Sequence, residues 1–301
     1  MLIVPAYAKI NWNLHVLGKR ADNFHEICTT FQTVSLCDYL TFSLSDALDL
    51  TCNLPGVPVD ETNLILRAAD VLRENFEIKS GAKIHLQKMI PSPGGLGGGS
   101  SNAAITLLAL SFLWSIKTTR RELAEIGAKL GADVPFFLFG GTALGTGIGT
   151  EIEFIEDVPQ TLLLVIAPNE IVPTAMAYKG LNAPVLTMEN AESILTICRL
   201  GSEEPNFRQT ILHNDFEQSV FREKPEIART KAKLLALGAT GALMSGSGAS
   251  VFGIFDNDKI RQSAAEILRQ TEKDWRTFVC ETISRHEYAE SFGAIWKLPD
   301  E

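Results

Sequence analysis

The sequence predicts an α+β protein of two domains. Three observations lead there. The 301 residues exceed the usual span of about 100–200 residues for one domain. A cleanly alternating segment opens the chain and long apolar helical patterns follow it. Farther on, two short apolar runs flank Ser245-Gly-Ser-Gly248, the pattern of paired antiparallel strands. The element order gives an N-terminal α/β domain with a mixed sheet over residues 1–160. A C-terminal domain of antiparallel sheet plus helices takes residues 161–301, with the boundary near residues 158–168. A functional site is expected in the cleft between them.

In residues 2–11, Leu2, Val4, Ala6, Ala8 and Ile10 face one way, and Ile3, Pro5, Tyr7, Lys9 and Asn11 the other. A period of two means a strand, and it sets Lys9 and Asn11 on one face. Residues 20–25 are polar and read as a turn. Alternation resumes at Phe31, Thr33 and Ser35, and again over residues 40–44, predicting further strands. Residues 63–75 predict a helix, with Leu64, Ala68 and Leu72 on one face and Asn63 as its N-cap. Residues 83–88 predict a short strand with Ile84 and Leu86 on one face. An apolar helix is expected over residues 102–114. A second starts at Thr119, where Thr119 and Glu122 have capping-box spacing, and ends at Gly131. Residues 161–167 read as a buried strand. Helices are expected near residues 174–179, 189–199, 215–222 and 225–237. Strands at 241–244 and 250–255, a helix at 259–271 and a strand at 277–283 complete the order.

Composition excludes several classes. With 46% hydrophobic and 21% charged residues the chain is neither disordered nor collagen-like. A net charge of −9 argues against a broad nucleic-acid surface, though a local pocket can still hold a small anion. The longest apolar runs, such as residues 162–167, fall far short of the roughly 18 residues of a membrane span. No basic leader precedes Lys9, so a signal peptide is not expected. Five cysteines without a Cys-x-x-Cys pair argue against a disulfide framework or a structural zinc site. They fit a reducing, cytoplasmic compartment. Monomer and homodimer stay equally open.

The one low-complexity stretch carries the chemistry. It comprises Pro91, Ser92, Pro93, Gly94, Gly95, Leu96, Gly97, Gly98, Gly99, Ser100 and Ser101, between a strand and a helix. Glycines let backbone N–H groups approach a ligand, and a helix N-terminus adds unpaired donors and a positive dipole end. That arrangement binds phosphate. Ser100 stands where a Walker A loop needs lysine, and the dinucleotide spacing also fails, which disfavours a nicotinamide oxidoreductase.

From Pro91 to Ala104 the stretch resembles the nucleotide loop of the GHMP kinases, the galactose, homoserine, mevalonate and phosphomevalonate kinase superfamily. Met244-Ser-Gly-Ser-Gly-Ala-Ser250 is similar to their third motif, although alone it reads equally as a hairpin turn. Ala8-Lys-Ile-Asn11, Gly18-Lys-Arg20, Asp22-Asn-Phe-His25 and the segment from Asn63 to Ala69 are similar to one branch of that superfamily. That branch phosphorylates the 2-hydroxyl of 4-diphosphocytidyl-2-C-methyl-D-erythritol, in the non-mevalonate route to isoprenoids. The matches run from Ala8 to about Ser250 and imply the two-domain GHMP kinase fold, with a ferredoxin-like C-terminal domain. They also imply an enzyme that uses ATP and magnesium.

The resemblance further implies roles. Asp133, in Gly131-Ala-Asp-Val-Pro135, is the family's catalytic base, and Lys9 is its cationic partner. On residues alone Asp133 reads equally as a helix N-cap and Lys9 as a solvated strand lysine. Asn11 contacts substrate. Phe24 stacks on cytosine and His25 reads its edge, with Asn23 and Phe24 replacing the family's glycine and tyrosine; asparagine accommodates left-handed backbone. Tyr178 completes the cytosine sandwich with Thr174 nearby, Ala175 standing where the family has proline. Asn63 and Lys88 sit near adenine, and Ser101 helps to hold magnesium. Another GHMP kinase of homoserine or mevalonate type, or a non-catalytic nucleotide-binding regulator on the same fold, remain the alternatives.

Overall fold

Two sheets organise the computed structural model, which describes residues 1–181, 196 and 212–299. The helix expected at residues 189–199 lies, except for Thr196, outside the described residues. In chain order the first elements are β1 (Leu2–Lys19), β2 (His25–Ser45), β3 (Asp49–Cys52), α1 (Leu64–Asn75) and β4 (Gly81–Gln87). Then come α2 (Gly98–Leu113), α3 (Arg120–Ala128), α4 (Val134–Phe137), β5 (Thr142–Thr146), β6 (Glu151–Phe154), β7 (Leu162–Ala167) and α5 (Thr174–Gly180). After the undescribed stretch follow β8 (His213–Asn214), α6 (Phe216–Glu223), α7 (Pro225–Ala236), β9 (Gly241–Met244) and β10 (Val251–Phe255). The order closes with α8 (Asp258–Thr271), β11 (Arg276–Glu281), α9 (Arg285–Glu290) and a 3-10 turn at Gly293–Lys297.

The first sheet is mixed, in the order β3-β4-β2-β1-β8, with β5 and β6 continuing from the far end of β2. β1 and β2 pair antiparallel, while β3–β4 and β1–β8 are parallel. The strand expected at residues 2–11 runs on to Lys19, and the separate strands expected at 31–35 and 40–44 are one. Register shifts between Tyr7 and Ala8 and between Asn11 and Asn13 explain the difference. A bulge breaks period-two alternation without ending a strand, and it re-aims the side chains beside it. Lys9, Ile10 and Asn11 lie between these two shifts.

Asn63 caps α1 through Ile65 N–H, and Ile65, Ala68, Ala69 and Leu72 bury one face. α2 starts at Gly98, four residues before the expected start, because Gly97 (φ 69) turns the chain directly into it. It is buried nearly all round, so it is a core helix rather than a surface one. Only half of the expected capping box at α3 forms: Thr119 accepts from Glu122 N–H, but the Glu122 carboxylate takes the Thr118 hydroxyl instead.

The second sheet is antiparallel, in the order β11-β7-β10-β9. Helices between β7 and β9 and between β10 and β11 give the β-α-β-β-α-β succession of a ferredoxin-like unit. A shared apolar layer joins the sheets: Ala8, Ile10 and Trp12 of β1 pack with Leu163, Val165, Leu243 and Phe252. The Trp12 and Phe252 rings meet edge to face, 5.6 Å apart. Beyond β11 the chain crosses back. Tyr288, Phe292 and Ile295 are buried in the core of the first sheet, with Phe136 and Phe137. The Tyr288 hydroxyl donates to the Phe137 carbonyl at 2.5 Å.

Candidate active site

A cleft of about 400 Å³ opens where the two sheets meet. That size suits a small ligand. Its walls come from β1, the residue 91–100 loop, the Asp133 turn, the start of α5 and the Gly246–Gly248 turn. Of the residues singled out from the sequence, Lys9, Asn11, Asp133, Thr174 and Tyr178 line it, together with Pro91, Ser92, Pro93, Gly94, Gly95, Leu96, Gly97, Gly98, Gly99 and Ser100.

β1 delivers Lys9 into this cleft. Its backbone N–H donates to Leu96 O at 3.0 Å, which fastens the glycine loop to the strand. Lys9 is only 3% exposed, so it is no solvated surface lysine. Its ammonium lies 3.4 Å from Asp133 Oδ2 and donates to Asn11 Oδ1 at 2.7 Å. Asn11 Nδ2 donates to Thr29 Oγ1, and Thr29 Oγ1 to Asn13 O. This chain of donors fixes Asn11 with its oxygen toward the lysine. Asp133 occupies the N-cap position of α4, yet its side chain makes no capping hydrogen bond. The carboxylate turns to Lys9 and the cleft instead.

The glycine loop closes against the second turn. Gly95 has φ +72, and a Cβ there would lie 2.1 Å from Ser245 O. Only glycine fits that approach. Ser245 Oγ donates to Gly95 O at 3.0 Å, and Ser250 N–H to Gly94 O. Gly97 (φ +69) packs on the Phe137 ring and leads into α2 without a side-chain cap. The first-turn N–H groups of α2 therefore have no intrahelical partner and face the cleft at Gly98, Gly99 and Ser100. With Lys9 they put several donors on one stretch of the cleft wall, an arrangement suited to an anion.

The aromatic end is arranged differently from the simple sandwich expected. The His25 and Tyr178 rings stack on each other, with centroids 4.6 Å apart. Tyr178 also meets the edge of Phe216 at 4.8 Å. Burial, with the Asp133 charge behind it, pushes the Tyr178 phenol up to about 12, so it stays a neutral donor. Burial and the nearby Lys19 charge pull His25 below its usual value, so its imidazole is neutral at pH 7. Phe24 is 59% exposed, and neither it nor His25 lines the cleft. Asn23 does adopt left-handed backbone (φ 69).

Three further residues lie off the cleft. Asn63 is spent on capping α1, and its Nδ2 donates to Pro58 O. Lys88 is buried behind the loop, paired at 2.5 Å with Asp38, whose other oxygen accepts from Met89 and Ile90 N–H. Burial lowers its affinity for a proton even beside that carboxylate. Its ammonium would stand 2.8 Å from a Cβ on Gly98, so its charge lies under the N-terminus of α2. Ser101 is fully buried, and its hydroxyl has no hydrogen-bond partner.

Sequence reading missed Thr29, Phe216 and Asn214. Asn214 Nδ2 donates to both Met244 O and Gly246 O, which ties the second glycine turn to β8. The paired Asn214-Asp215 at the start of α6, where Asn214 Oδ1 accepts from Phe216 N–H, was the available signal for Asn214; nothing local distinguishes Thr29.

Residues 63–141 match the GHMP kinases N terminal domain, and residues 203–274 match the GHMP kinases C terminal domain. A 4-diphosphocytidyl-2-C-methyl-D-erythritol kinase of Geobacter sulfurreducens is 39% identical over 292 residues, covering 94% of this chain and 99% of that protein. The enzyme of that name from Syntrophus aciditrophicus is 42% identical over 286 residues, covering 94% and 100%. A crystal structure of a 4-(cytidine 5'-diphospho)-2C-methyl-D-erythritol kinase superposes with TM-score 0.75 at 34% identity, over 93% of this chain and 99% of that one. The chain belongs to the GHMP kinases and, within them, to the 4-diphosphocytidyl-2-C-methyl-D-erythritol kinase family.

Proposed function

We propose that this protein transfers the γ-phosphoryl group of ATP to the 2-hydroxyl of 4-diphosphocytidyl-2-C-methyl-D-erythritol. The products are the 2-phosphate and ADP, in the non-mevalonate synthesis of isoprenoid precursors. The observation that supports it most is the Lys9–Asp133 pair, 3.4 Å apart, in the cleft that the glycine loop borders.

Phosphoryl transfer needs an oriented hydroxyl, a proton acceptor and positive charge around the transferred group. Asp133 accepts the proton of the substrate hydroxyl as that oxygen attacks phosphorus. The Lys9 ammonium stabilises the developing alkoxide and the charge on the phosphoryl oxygens. Asn11 holds Lys9 in place, and the amides of residues 94–100 hold the triphosphate. Lys88 braces the loop from behind through its ion pair with Asp38 rather than touching adenine, and Asn63 acts by anchoring α1. His25 and Tyr178 make the cytosine end: His25 presents donor and acceptor to the base edge, Tyr178 backs the His25 ring, and the Phe24 ring, exposed outside the cleft, stacks on the base when it binds. Thr174 adds a hydroxyl beside Ser247, 3.2 Å away.

Magnesium fits this chemistry. Its ligands would be hard oxygens from the phosphates and the Ser100 hydroxyl, which lines the cleft, in place of the expected Ser101, which is buried off it. When bound it neutralises phosphate charge. We assign ATP binding chiefly to residues 1–160, and infer a cytoplasmic enzyme from the free thiols of Cys37, Cys52 and Cys280. No helix among the described residues is long and apolar enough to cross a membrane.

The test is an assay with magnesium–ATP and, separately, the cytidine substrate, homoserine and mevalonate. ADP release with the first alone, and a phosphate on its C2 oxygen by phosphorus NMR, is the expected result. Preferential turnover of homoserine or mevalonate would overturn the substrate, and no turnover at all would overturn the enzyme.

A further inference from the structure

Beside the cleft, but outside the phosphoryl-transfer machinery, β1 and β8 run parallel, with Asn13 opposite His213. Two imidazoles and a carboxylate meet there. The His15 and His213 rings stack at 4.4 Å with their planes 10° apart. His213 Nε2 lies 2.6 Å from Asp215 Oδ1. Asp215 Oδ2 accepts from Val16 N–H at 2.6 Å, so the carboxylate is pinned to the β1 backbone with its other oxygen toward the histidines. No described residue hydrogen-bonds either ring nitrogen of His15, which is only partly exposed. One ligand atom from each of the three residues fits within 4.8 Å of the others. Among the described residues this is the one such group of three.

We propose that His15, His213 and Asp215 form a site for a borderline divalent cation of the zinc class. Imidazole nitrogen suits zinc, cobalt and nickel, whereas magnesium and calcium prefer all-oxygen sets. Zinc holds such ligands at about 2.0–2.2 Å. Coordination requires the two imidazoles to turn out of their stack about their side-chain bonds while the carboxylate stays fixed by Val16 N–H. Half-exposed His213 leaves room for water as a further ligand. Because the ligands come from β1, from β8 and from the start of α6, the ion clamps these elements together. It thereby also holds Asn214, which ties down the second glycine turn. The site is independent of the kinase reading, since its ligands do not line the cleft.

The experiment uses the full chain without an affinity tag. Zinc chloride is titrated by calorimetry, and cobalt chloride by visible absorption. One equivalent of zinc is expected to bind and to raise the melting midpoint, as a native-state ligand does. His15→Ala and His213→Ala are each expected to weaken binding at least about tenfold, and His213→Ala to abolish the midpoint shift. His85→Ala, at a histidine paired with Thr51 elsewhere on the first sheet, is expected to change nothing. If His15→Ala does not fold, His213→Ala at its half-exposed position decides alone. Equal zinc affinity in wild type and His213→Ala, or a loss confined to His85→Ala, overturns the proposal.

Discussion

Lys9 Nζ stands 3.4 Å from Asp133 Oδ2, one from the first strand and the other from the turn before α4. Nothing in the local sequence of either residue requires this meeting. The hairpin of β1 and β2, and the packing of α4 beneath α2, bring them together.

Asp133→Asn keeps the shape of the turn and removes the proton acceptor. The expected outcome is unchanged ATP affinity with kcat lower by about 100- to 10,000-fold, the range for a lost general base. Nucleotide titration and steady-state kinetics check it; near-normal kcat removes Asp133 from that role.

Phe24→Ala removes an exposed ring, so the fold should hold. KM for the cytidine substrate should rise by the equivalent of about 1–3 kcal/mol, the scale of one base–aromatic stack. KM for ATP should stay. Equal rises in both constants would undo the stacking assignment.

The lowered proton affinity of His25 gives a pH signature. Its neutral form persists as pH falls through the ordinary value of 6.5. KM for the cytidine substrate should therefore stay flat there and rise only at more acid pH. A rise centred at or above 6.5 in wild type, absent from His25→Gln, would contradict the assignment.

Gly95→Ala places a methyl where Ser245 O already stands, on left-handed backbone. The backbone alone costs about 1–2 kcal/mol, and the clash adds to it. Weaker ATP binding and a lower melting midpoint are expected. A variant with wild-type values for both would show that the two glycine turns need not touch.

Tyr288→Phe deletes one hydroxyl and leaves the buried Phe137 carbonyl unpaired. A loss of about 1–3 kcal/mol in stability is the scale for such an orphan. Denaturant titration measures it, and an unchanged midpoint would mean that the contact is dispensable.

Much of the fold could be read locally, and the failures have local reasons. Residues 63–75 obeyed their cap and their apolar face because α1 packs on one side only. β1 outran its expected end because bulges near Lys9 and Asn13 scramble alternation. α2 began early because Gly98 and Gly99, poor helix formers, are held by packing rather than by propensity. β5 and β6 escaped notice, being short, with Gly145 inside the first. The expected order ended at the strand over residues 277–283 and missed α9, although Ser284 and Glu287 form a full capping box at its start. In the site, Lys9 and Asp133 were named through family resemblance, not spacing. Thr29 and Asn214 act through partners far away in sequence, which no local pattern records.

The return of Tyr288 to Phe137 bears on synthesis. The ribosome makes Tyr288 151 residues after the carbonyl it grips. Until then the nascent first half emerges with the floor beneath Phe136 and Phe137 still open to water. Early domains often fold as they leave the ribosome, but this one lacks part of its core until Tyr288, Phe292 and Ile295 have been translated. Chaperone dependence during translation should therefore end only after the α9 segment has cleared the exit tunnel.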